Sequence, residues 1–157
     1  MKPEDFNPAL IESMAAHAER AWPAECCGVV ISDAGGGFRY VEIANIAGSE
    51  AASEASSRSA RDGYVMDPMA LLDALDQADR AGGALEAIVH SHPEVGAYFS
   101  SEDRRAALGG GDEPLWPGAA YAVISCRARV ADDLRLYTWD ASAREFREAR
   151  VGVPRRG

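Results

Sequence analysis

The segment LEAIVHSHPEVGAYFSSED, residues 85–103, combines a β-strand pattern with two closely spaced histidines. Its first half is rich in branched apolar residues and follows the Gly82-Gly83 pair, which is typical of a strand that begins after a turn. Side chains two residues apart on a strand point to the same face, so we expect His90 and His92 to project together. Pro93 cannot donate a hydrogen bond to a β-ladder, and the strand is therefore predicted to end there.

The chain after this strand is predicted to loop and to enter a helix near Ser100. Ser100 and Asp103 form a Ser-x-x-acid pattern, which is typical of a capping box with serine as the N-cap. The loop can also fold Asp103 back over the strand end, beside the two histidines. Imidazole and carboxylate suit zinc, and a catalytic zinc keeps three protein ligands and one open position. The spacing alone leaves both interpretations open, because a His-x-His pair is often only a polar face.

Hydrolysis at a zinc site also requires a base for the attacking water, and Glu25 is a candidate for this role. It lies in the segment PAECCG, residues 23–28, directly before an apolar run. A single carboxylate is weak evidence in a chain with 25 aspartate and glutamate residues. The neighbouring Cys26 and Cys27 are interpreted as small buried residues, in preference to a thiol nucleophile or zinc ligands.

The combination of these residues is far more specific than any one of them. The pattern Glu…His-Ser-His-Pro-x6-Ser-x-x-Asp resembles the signature of the JAMM metallopeptidases, also called catalytic MPN-plus domains. Residues 25–30 resemble the first strand of that family, residues 117–125 its late core strand, and residues 134–148 the closing hairpin of its small bacterial members. The resemblance covers nearly the whole chain, and it implies an α/β fold in which helices flank a mixed β-sheet, the deaminase-like JAMM fold.

The resemblance also implies a role for each residue of the pattern. His90, His92 and Asp103 would bind zinc. Glu25 would act as the general base and later as the general acid, and Ser100 would help to hold the oxyanion.

The rest of the sequence predicts alternating helices and strands, which is typical of an α/β domain. The predicted elements are a helix that opens at Asn7-Pro8, strands at 25–32, 38–44 and 63–66, a helix capped by Asp67-Pro68, and a short helix at 101–108. The second helix is predicted to bury a face formed by Met69, Leu72, Leu75 and Ala78. Residues 48–62 are small and polar, which predicts a mobile loop. The family resemblance implies that a loop near this place shapes the substrate groove, and the alternative is a plain flexible linker.

Three aromatic residues near the pattern bear on the rim of the predicted cleft. Many small family members have proline directly before the serine, and this chain has Phe99 there, which affects the expected loop shape. Tyr98 and Trp116 either rim the cleft or pack in the core.

Length and composition fit one domain over residues 1–157, with a loose tail from about residue 152. The chain has 157 residues, of which 47% are hydrophobic, enough for a real core. No apolar run approaches the ~20 residues that span a membrane, and residues 1–9 lack a secretory signal pattern, so a cytoplasmic location is expected by default. The net charge of −9 disfavours nucleic-acid binding, and three cysteines disfavour a disulfide framework.

The leading hypothesis is a zinc-dependent hydrolase of peptide or isopeptide bonds. Family members often cut C-terminal extensions or isopeptide linkages of ubiquitin-like proteins, and similar stand-alone bacterial members trim sulfur-carrier proteins that end in two glycines. The resemblance thus implies such a diglycine-ended protein as substrate and partner. Two alternatives stay open: a phage-tail-type or cell-wall peptidase, and a non-catalytic MPN scaffold that only binds partners. The sequence does not indicate the oligomeric state.

Overall fold

A computed structural model describes residues 1–49 and 59–153, and within these ranges six strands form one sheet with helices on both faces. In chain order the elements are a 3-10 turn (Pro3–Asp5), α1 (Pro8–Ala21), β1 (Cys27–Ser32), β2 (Phe38–Ile43), α2 (Pro68–Arg80), β3 (Leu85–Pro93), α3 (Ser101–Leu108), β4 (Ala120–Arg127), β5 (Val130–Asp140) and β6 (Glu145–Arg150).

The sheet is mixed, with the strand order β2-β1-β3-β4-β5-β6. β3 and β4 are parallel and are joined by a crossover that contains α3, whereas the other neighbouring strands are antiparallel. This architecture confirms the predicted α/β class. Because β3 has a neighbour on each side, its residues from Ala87 to His92 are all buried.

Strand residues alternate between the two faces of the sheet, and each face has its own apolar core. On one face, Val89 of β3 packs in a cluster with Leu10 and Met14 of α1. On the other face, Ile88 of β3 packs in a cluster with Ala107 of α3. His90 and His92 are two and four positions after Ile88, so their side chains lie on the same face of the sheet as Ile88. This is the face that α2 and α3 cover.

The start of α1 lies where the sequence predicts it. The Asn7 side chain accepts a hydrogen bond from the Leu10 amide at 2.9 Å, and Pro8 occupies the first turn. An N-cap of this kind satisfies an amide that otherwise has no partner in the helix.

The predicted apolar face of α2 is wrong for Met69 and Leu72 and right for Ala78. Met69 and Leu72 are 72% and 59% exposed, while Ala74 and Ala78 are fully buried against β1. Met69 and Ala78 are nine positions apart, which is about two and a half turns of a helix, so they lie on opposite sides. The helix instead approaches the sheet through its alanines, which are spaced by four.

The predicted strand at 63–66 is also wrong. Only an isolated bridge joins Asn45 to Met66 in the described part of the chain. The side chain of Asn45 accepts the Val65 amide hydrogen bond at 3.0 Å, and thereby takes the place of a backbone partner. A regular β-ladder cannot continue where a side chain replaces a backbone hydrogen-bond partner.

Two predicted segments lie partly outside the described residues. Residues 50–58 fall within the predicted loop at 48–62, and residues 154–157 fall within the predicted tail. Before the tail, the amides of Val151 and Gly152 both donate to the Leu134 carbonyl at 3.0 Å. Among the described residues, the helices are too short and too polar for any of them to cross a bilayer.

Candidate metal centre and active site

His90, His92 and Asp103 converge at one end of β3. The two histidines project from the strand, and Asp103 lies in the first turn of α3. The Nε2 atoms of His90 and His92 are 3.1 Å apart, Asp103 Oδ1 is 3.2 Å from Nε2 of His90, and Asp103 Oδ2 is 3.4 Å from Nε2 of His92. The three residues therefore form a triangle of donor groups, in which one oxygen of the Asp103 carboxylate lies near each imidazole Nε2, and one ligand atom from each residue lies within 4.8 Å of the other two.

The dimensions of this triangle fit a zinc ion. Zinc binds imidazole nitrogen and carboxylate oxygen at about 2.0–2.2 Å in tetrahedral geometry, which places neighbouring ligand atoms about 3.3 Å apart. The two Nε2 atoms are 3.1 Å apart, and each lies 3.2 or 3.4 Å from one oxygen of the Asp103 carboxylate, which is close to that value. Two nitrogens and one carboxylate oxygen also form a donor set that zinc accepts while keeping its fourth position open. In their chemistry and their proximity these residues thus fit the ion.

Ser100 and Asp103 form the predicted capping box at the start of α3. The Asp103 amide donates to Ser100 Oγ at 3.1 Å, and the Ser100 amide donates to Asp103 Oδ2 at 2.8 Å. The cap holds the carboxylate at the helix end that faces the histidines. The two interpretations of this pair therefore coexist, because the hydrogen bonds of the cap also orient Asp103 toward β3.

Contacts outside the triangle fix the orientation of the two imidazole rings. His92 Nδ1 lies 3.0 Å from the carbonyl oxygen of Gly96, so a proton on Nδ1 leaves Nε2 available as a ligand atom. The ring of Tyr64 stacks on His90 with 4.8 Å between centroids, and Tyr98 lies 5.1 Å from His92. Among residues 1–49 and 59–153, His90 Nδ1 has no hydrogen-bond partner.

The pKa shifts of Asp103 and His90 favour the forms that bind a metal, whereas the pKa shift of His92 favours its protonated form. Burial raises the pKa of Asp103, but hydrogen bonds from His90 and His92 outweigh it and hold the pKa well below its usual range. Burial lowers the pKa of His90 more than the Asp103 hydrogen bond raises it. For His92, burial also lowers the pKa, but the bonds to Asp103 and Gly96 outweigh it and the net shift is upward. An anionic Asp103 and a neutral His90 are the forms that bind a cation.

Glu25 lies at the same cleft, directly before β1. Its side chain is only 8% exposed and lines a cleft of about 390 Å³ together with His92, Ser100 and Asp103. Its backbone is anchored on both sides, because its amide donates to the Ala60 carbonyl at 2.7 Å and its carbonyl accepts from Asn45 at 3.0 Å. The structure thus brings all five residues of the predicted pattern to one place, while their individual roles remain predictions.

A family model described as prokaryotic homologs of the JAB domain matches residues 7–140. The chain belongs to this family. A desampylase of Haloferax volcanii is 30% identical over 146 residues, which cover 90% of this chain and 90% of that protein. Together these findings confirm the resemblance to JAMM and MPN domains that the sequence pattern indicates.

Two solution structures share the JAB-type fold of this chain. A protein from Desulfitobacterium hafniense has a TM-score of 0.62 at 24% identity, over 89% of this chain and 85% of that one. A protein from Salinibacter ruber has a TM-score of 0.58 at 23% identity, over 94% of this chain and 90% of that one. At such identities the likeness concerns the fold alone.

Two residues that brace the JAB site are missed by sequence reasoning. Ser91, between the histidines, accepts the Cys26 amide through its Oγ at 2.8 Å, and its own amide donates to the Cys26 carbonyl at 3.1 Å. Asn45 donates to the carbonyls of Glu25 and Gly63 and accepts from two further amides, so all four of its hydrogen-bonding positions are used. Both residues tie the Glu25 segment in place, and neither has a local sequence signal.

The three aromatic residues near the pattern have different positions in the JAB domain. Tyr98 is 51% exposed and lines the cleft, which is one of the two positions predicted for it. Trp116 instead packs against the core below α3. Phe99 stacks on Tyr137 at 5.0 Å and lies 4.9 Å from Phe146, so this departure from the usual proline anchors the loop by apolar packing.

The cysteines are unsuited to nucleophilic catalysis. All three are buried and none forms a disulfide. Burial raises the pKa of Cys26 to about 12 and that of Cys126 to about 11, and it also raises the pKa of Cys27. The thiolate is the reactive form, and it is scarce at neutral pH in all three positions. Their interpretation as small buried residues therefore agrees with the structure.

Proposed function

We propose that this chain is a zinc-dependent hydrolase of peptide or isopeptide bonds that trims the C-terminus of a diglycine-ended ubiquitin-like or sulfur-carrier protein. One observation carries the proposal: the ligand atoms of His90, His92 and Asp103 lie within 4.8 Å of one another beside the buried Glu25, at a cleft open to solvent. A non-catalytic MPN scaffold would have lost its metal ligands. All three predicted ligands and the predicted base are present in this chain, which argues against the scaffold alternative. No observation favours a phage-tail-type or cell-wall peptidase.

The residues of the cleft divide the chemical work between them. Bound zinc would supply a +2 charge that acidifies a water molecule and polarises the substrate carbonyl. Glu25 would take the proton of the attacking water and return it to the leaving amine, so no covalent intermediate is needed. Burial of Glu25 keeps bulk water from competing for that proton.

Ser100 has the position of an oxyanion donor. Its Oγ accepts the Asp103 amide at 3.1 Å, and that bond fixes the hydroxyl at the edge of the cleft without using the hydroxyl hydrogen. A hydrogen bond from a fixed donor to a developing oxyanion is worth more than one from mobile water.

Ser100→Ala is expected to lower the free energy of unfolding by ~1 kcal/mol, from loss of the cap, and to lower kcat by about 10²-fold, from loss of the donor. Urea unfolding and initial rates measured well below the melting range separate the two effects. Ser101→Ala is the matched control, because the Ser101 hydroxyl is exposed and bonds only to Glu102 at 2.9 Å. An unchanged kcat in Ser100→Ala would leave this residue as a cap only.

Two observations support the proposed substrate class: the name of a relative and the shape of the cleft. The name of the Haloferax volcanii relative, desampylase, supports a ubiquitin-like modifier as the substrate. The Tyr98 ring lies against His92, so chain next to the cut must pass an aromatic wall. Glycine has no Cβ and fits such a passage most easily, which favours a diglycine tail.

Cleavage of a carrier protein tests the proposed function. A small ubiquitin-like carrier with a C-terminal extension is expected to be cut just after Gly-Gly when it is incubated with this protein and zinc, and mass spectrometry detects the shortened product. Replacing the last glycine by leucine should reduce cutting, whereas changes in the extension should matter less. If several such carriers stay intact while unrelated peptides are cut, the carrier substrate is wrong and a general peptidase takes its place.

A further inference from the structure

A second cavity, of about 160 Å³, lies between α2 and α3 on the face of the sheet that carries the histidines. Its lining includes the side chains of Tyr64, Met66, Leu71, Leu85, Ile88 and Trp116. None of the lining residues carries a charge, so an apolar group can enter without stripping water from an ion. Tyr121 also lines the cavity, and its hydroxyl has no hydrogen-bond partner among the described residues. The rest of the lining is mostly apolar, so the cavity has the chemistry of a pocket for an apolar side chain.

This cavity adjoins the candidate active site. Tyr64 and Ala106 line both the cavity and the cleft that contains Glu25. The Tyr64 ring stacks on His90 at 4.8 Å, so it separates the cavity from the predicted metal ligands. Ala106 is exposed and contributes only a methyl group at the boundary. An occupant of the cavity would thus lie beside the cleft, across this boundary.

The size of the cavity selects one occupant. A cavity of roughly 150 Å³ lined by apolar side chains holds one benzene molecule, and the cavity between α2 and α3 measures about 160 Å³. It accordingly fits one phenyl ring or one branched aliphatic side chain, and not a helix face or an extended segment.

The residues that the structure does not describe contain no large apolar side chain that could fill this cavity. Residues 50–58 are EAASEASSR and residues 154–157 are PRRG. Neither segment contains an apolar side chain larger than alanine or proline. Neither segment can therefore supply the occupant, and the wall that the cavity shares with the cleft points to the molecule whose bond is cut.

We propose that the cavity between α2 and α3 is a specificity subsite that takes one large apolar side chain, branched aliphatic or phenyl, from the protein substrate near the cut bond. This inference rests on the proposed function and adds a side-chain requirement to it. Burial of a leucine or phenylalanine side chain corresponds to about tenfold to a hundredfold in kcat/KM over alanine.

Competition between substrates tests the subsite. Carriers with alanine, leucine, phenylalanine or aspartate at each position around the cut other than the two glycines are mixed, and the product ratios are measured by mass spectrometry. We expect leucine or phenylalanine to be preferred over alanine at one position by about tenfold or more. The products come from one reaction mixture. A general loss of activity therefore slows the cleavage of all carriers equally and leaves the ratio of products unchanged.

Two variants and their controls place the preference in the cavity. Ala107→Leu fills the cavity from its buried side, and Ala106→Leu obstructs its exposed boundary and keeps the test available if Ala107→Leu fails to fold. Both leucine variants should bring the ratio of leucine or phenylalanine cleavage to alanine cleavage close to one. Ala107→Ser and Ala106→Ser should keep the ratio of the parent protein. A flat profile in an active parent protein, or an unchanged profile in both leucine variants, overturns the subsite.

A binding measurement separates the subsite from the proposed function. Benzene should shift the NMR signals of the Met66 methyl group and the Trp116 indole in the parent protein, and should not do so in Ala107→Leu. If the parent cuts no carrier, the proposed function fails and the substrate role of the cavity fails with it, even where benzene binds. If those signals instead change with protein concentration alone, a second copy covers the cavity and the subsite is again overturned.

Discussion

Glu25→Gln is expected to keep the metal and to lower kcat by about 10²–10⁴-fold, the usual contribution of a general base. Glutamine has nearly the same shape as glutamate, and the backbone bonds of Glu25 to Ala60 and Asn45 do not depend on the side chain. The fold and the triangle of predicted ligands should therefore remain intact. Metal analysis of the purified variant, together with initial rates on a cleavable carrier, measures the two effects separately.

Glu94→Gln is the matched control for this substitution. Glu94 lies in the loop directly after β3, but its carboxylate accepts from the Trp22 indole at 2.7 Å and from the Ala128 amide at 2.9 Å, away from the cleft. The control removes one negative charge from the same region and should leave kcat close to the parent value. Full activity in Glu25→Gln would remove Glu25 from the mechanism, even if the metal prediction holds.

The parts of the site that the sequence predicts are those with local causes. The period of two along β3 places His90 and His92 on one face, since that geometry belongs to any strand. The Ser-x-x-acid pattern predicts the start of α3 and the orientation of Asp103, since a capping box involves residues only three positions apart. These predictions need no knowledge of the rest of the chain.

The position of Glu25 depends on contacts that no local pattern contains. It reaches the cleft because β1 pairs with β3 in a register that sets Cys27 opposite His90. The hydrogen bond from the Cys26 amide to Ser91 Oγ joins residues 65 positions apart in the sequence. Family resemblance predicts that Glu25 belongs to the site, but the physical reason lies in long-range strand pairing.

The errors in α2 and at 63–66 have the same origin. The sequence indicates that α2 is amphipathic, but the choice between a leucine-rich face and an alanine face depends on how closely the helix approaches β1. Ala74 and Ala78 permit a close approach, and Leu72 is left 59% exposed. Asn45 likewise replaces a strand partner of Val65 through its side chain, which a propensity argument cannot anticipate.

Asp103→Asn is expected to weaken zinc binding by at least about 100-fold, because even partners outside the ligand shell contribute 10–100-fold. Asparagine keeps a side-chain oxygen for the Ser100 amide, which Asp103 binds at 2.8 Å, so the cap and α3 should persist. What the variant loses is the negative charge 3.2 Å from His90 and 3.4 Å from His92. Zinc at 100 times the parent's Kd should stabilise the parent by about 2.7 kcal/mol, and at the same zinc concentration the gain in the variant should fall to about 0.4 kcal/mol or less.

Urea unfolding of chelator-treated protein, with and without added zinc, measures this gain directly. His90→Ala and His92→Ala should lose the gain as Asp103→Asn does, and metal analysis should fall from one zinc per chain in the parent to a fraction in each variant. Ser100→Ala is the crossed control, because it breaks the cap and spares the ligands: its unfolding free energy should fall by ~1 kcal/mol both with and without zinc. Zinc-dependent stabilisation that survives in Asp103→Asn and in both histidine variants would place the metal elsewhere, and Glu25 would then have no water to activate at this end of β3.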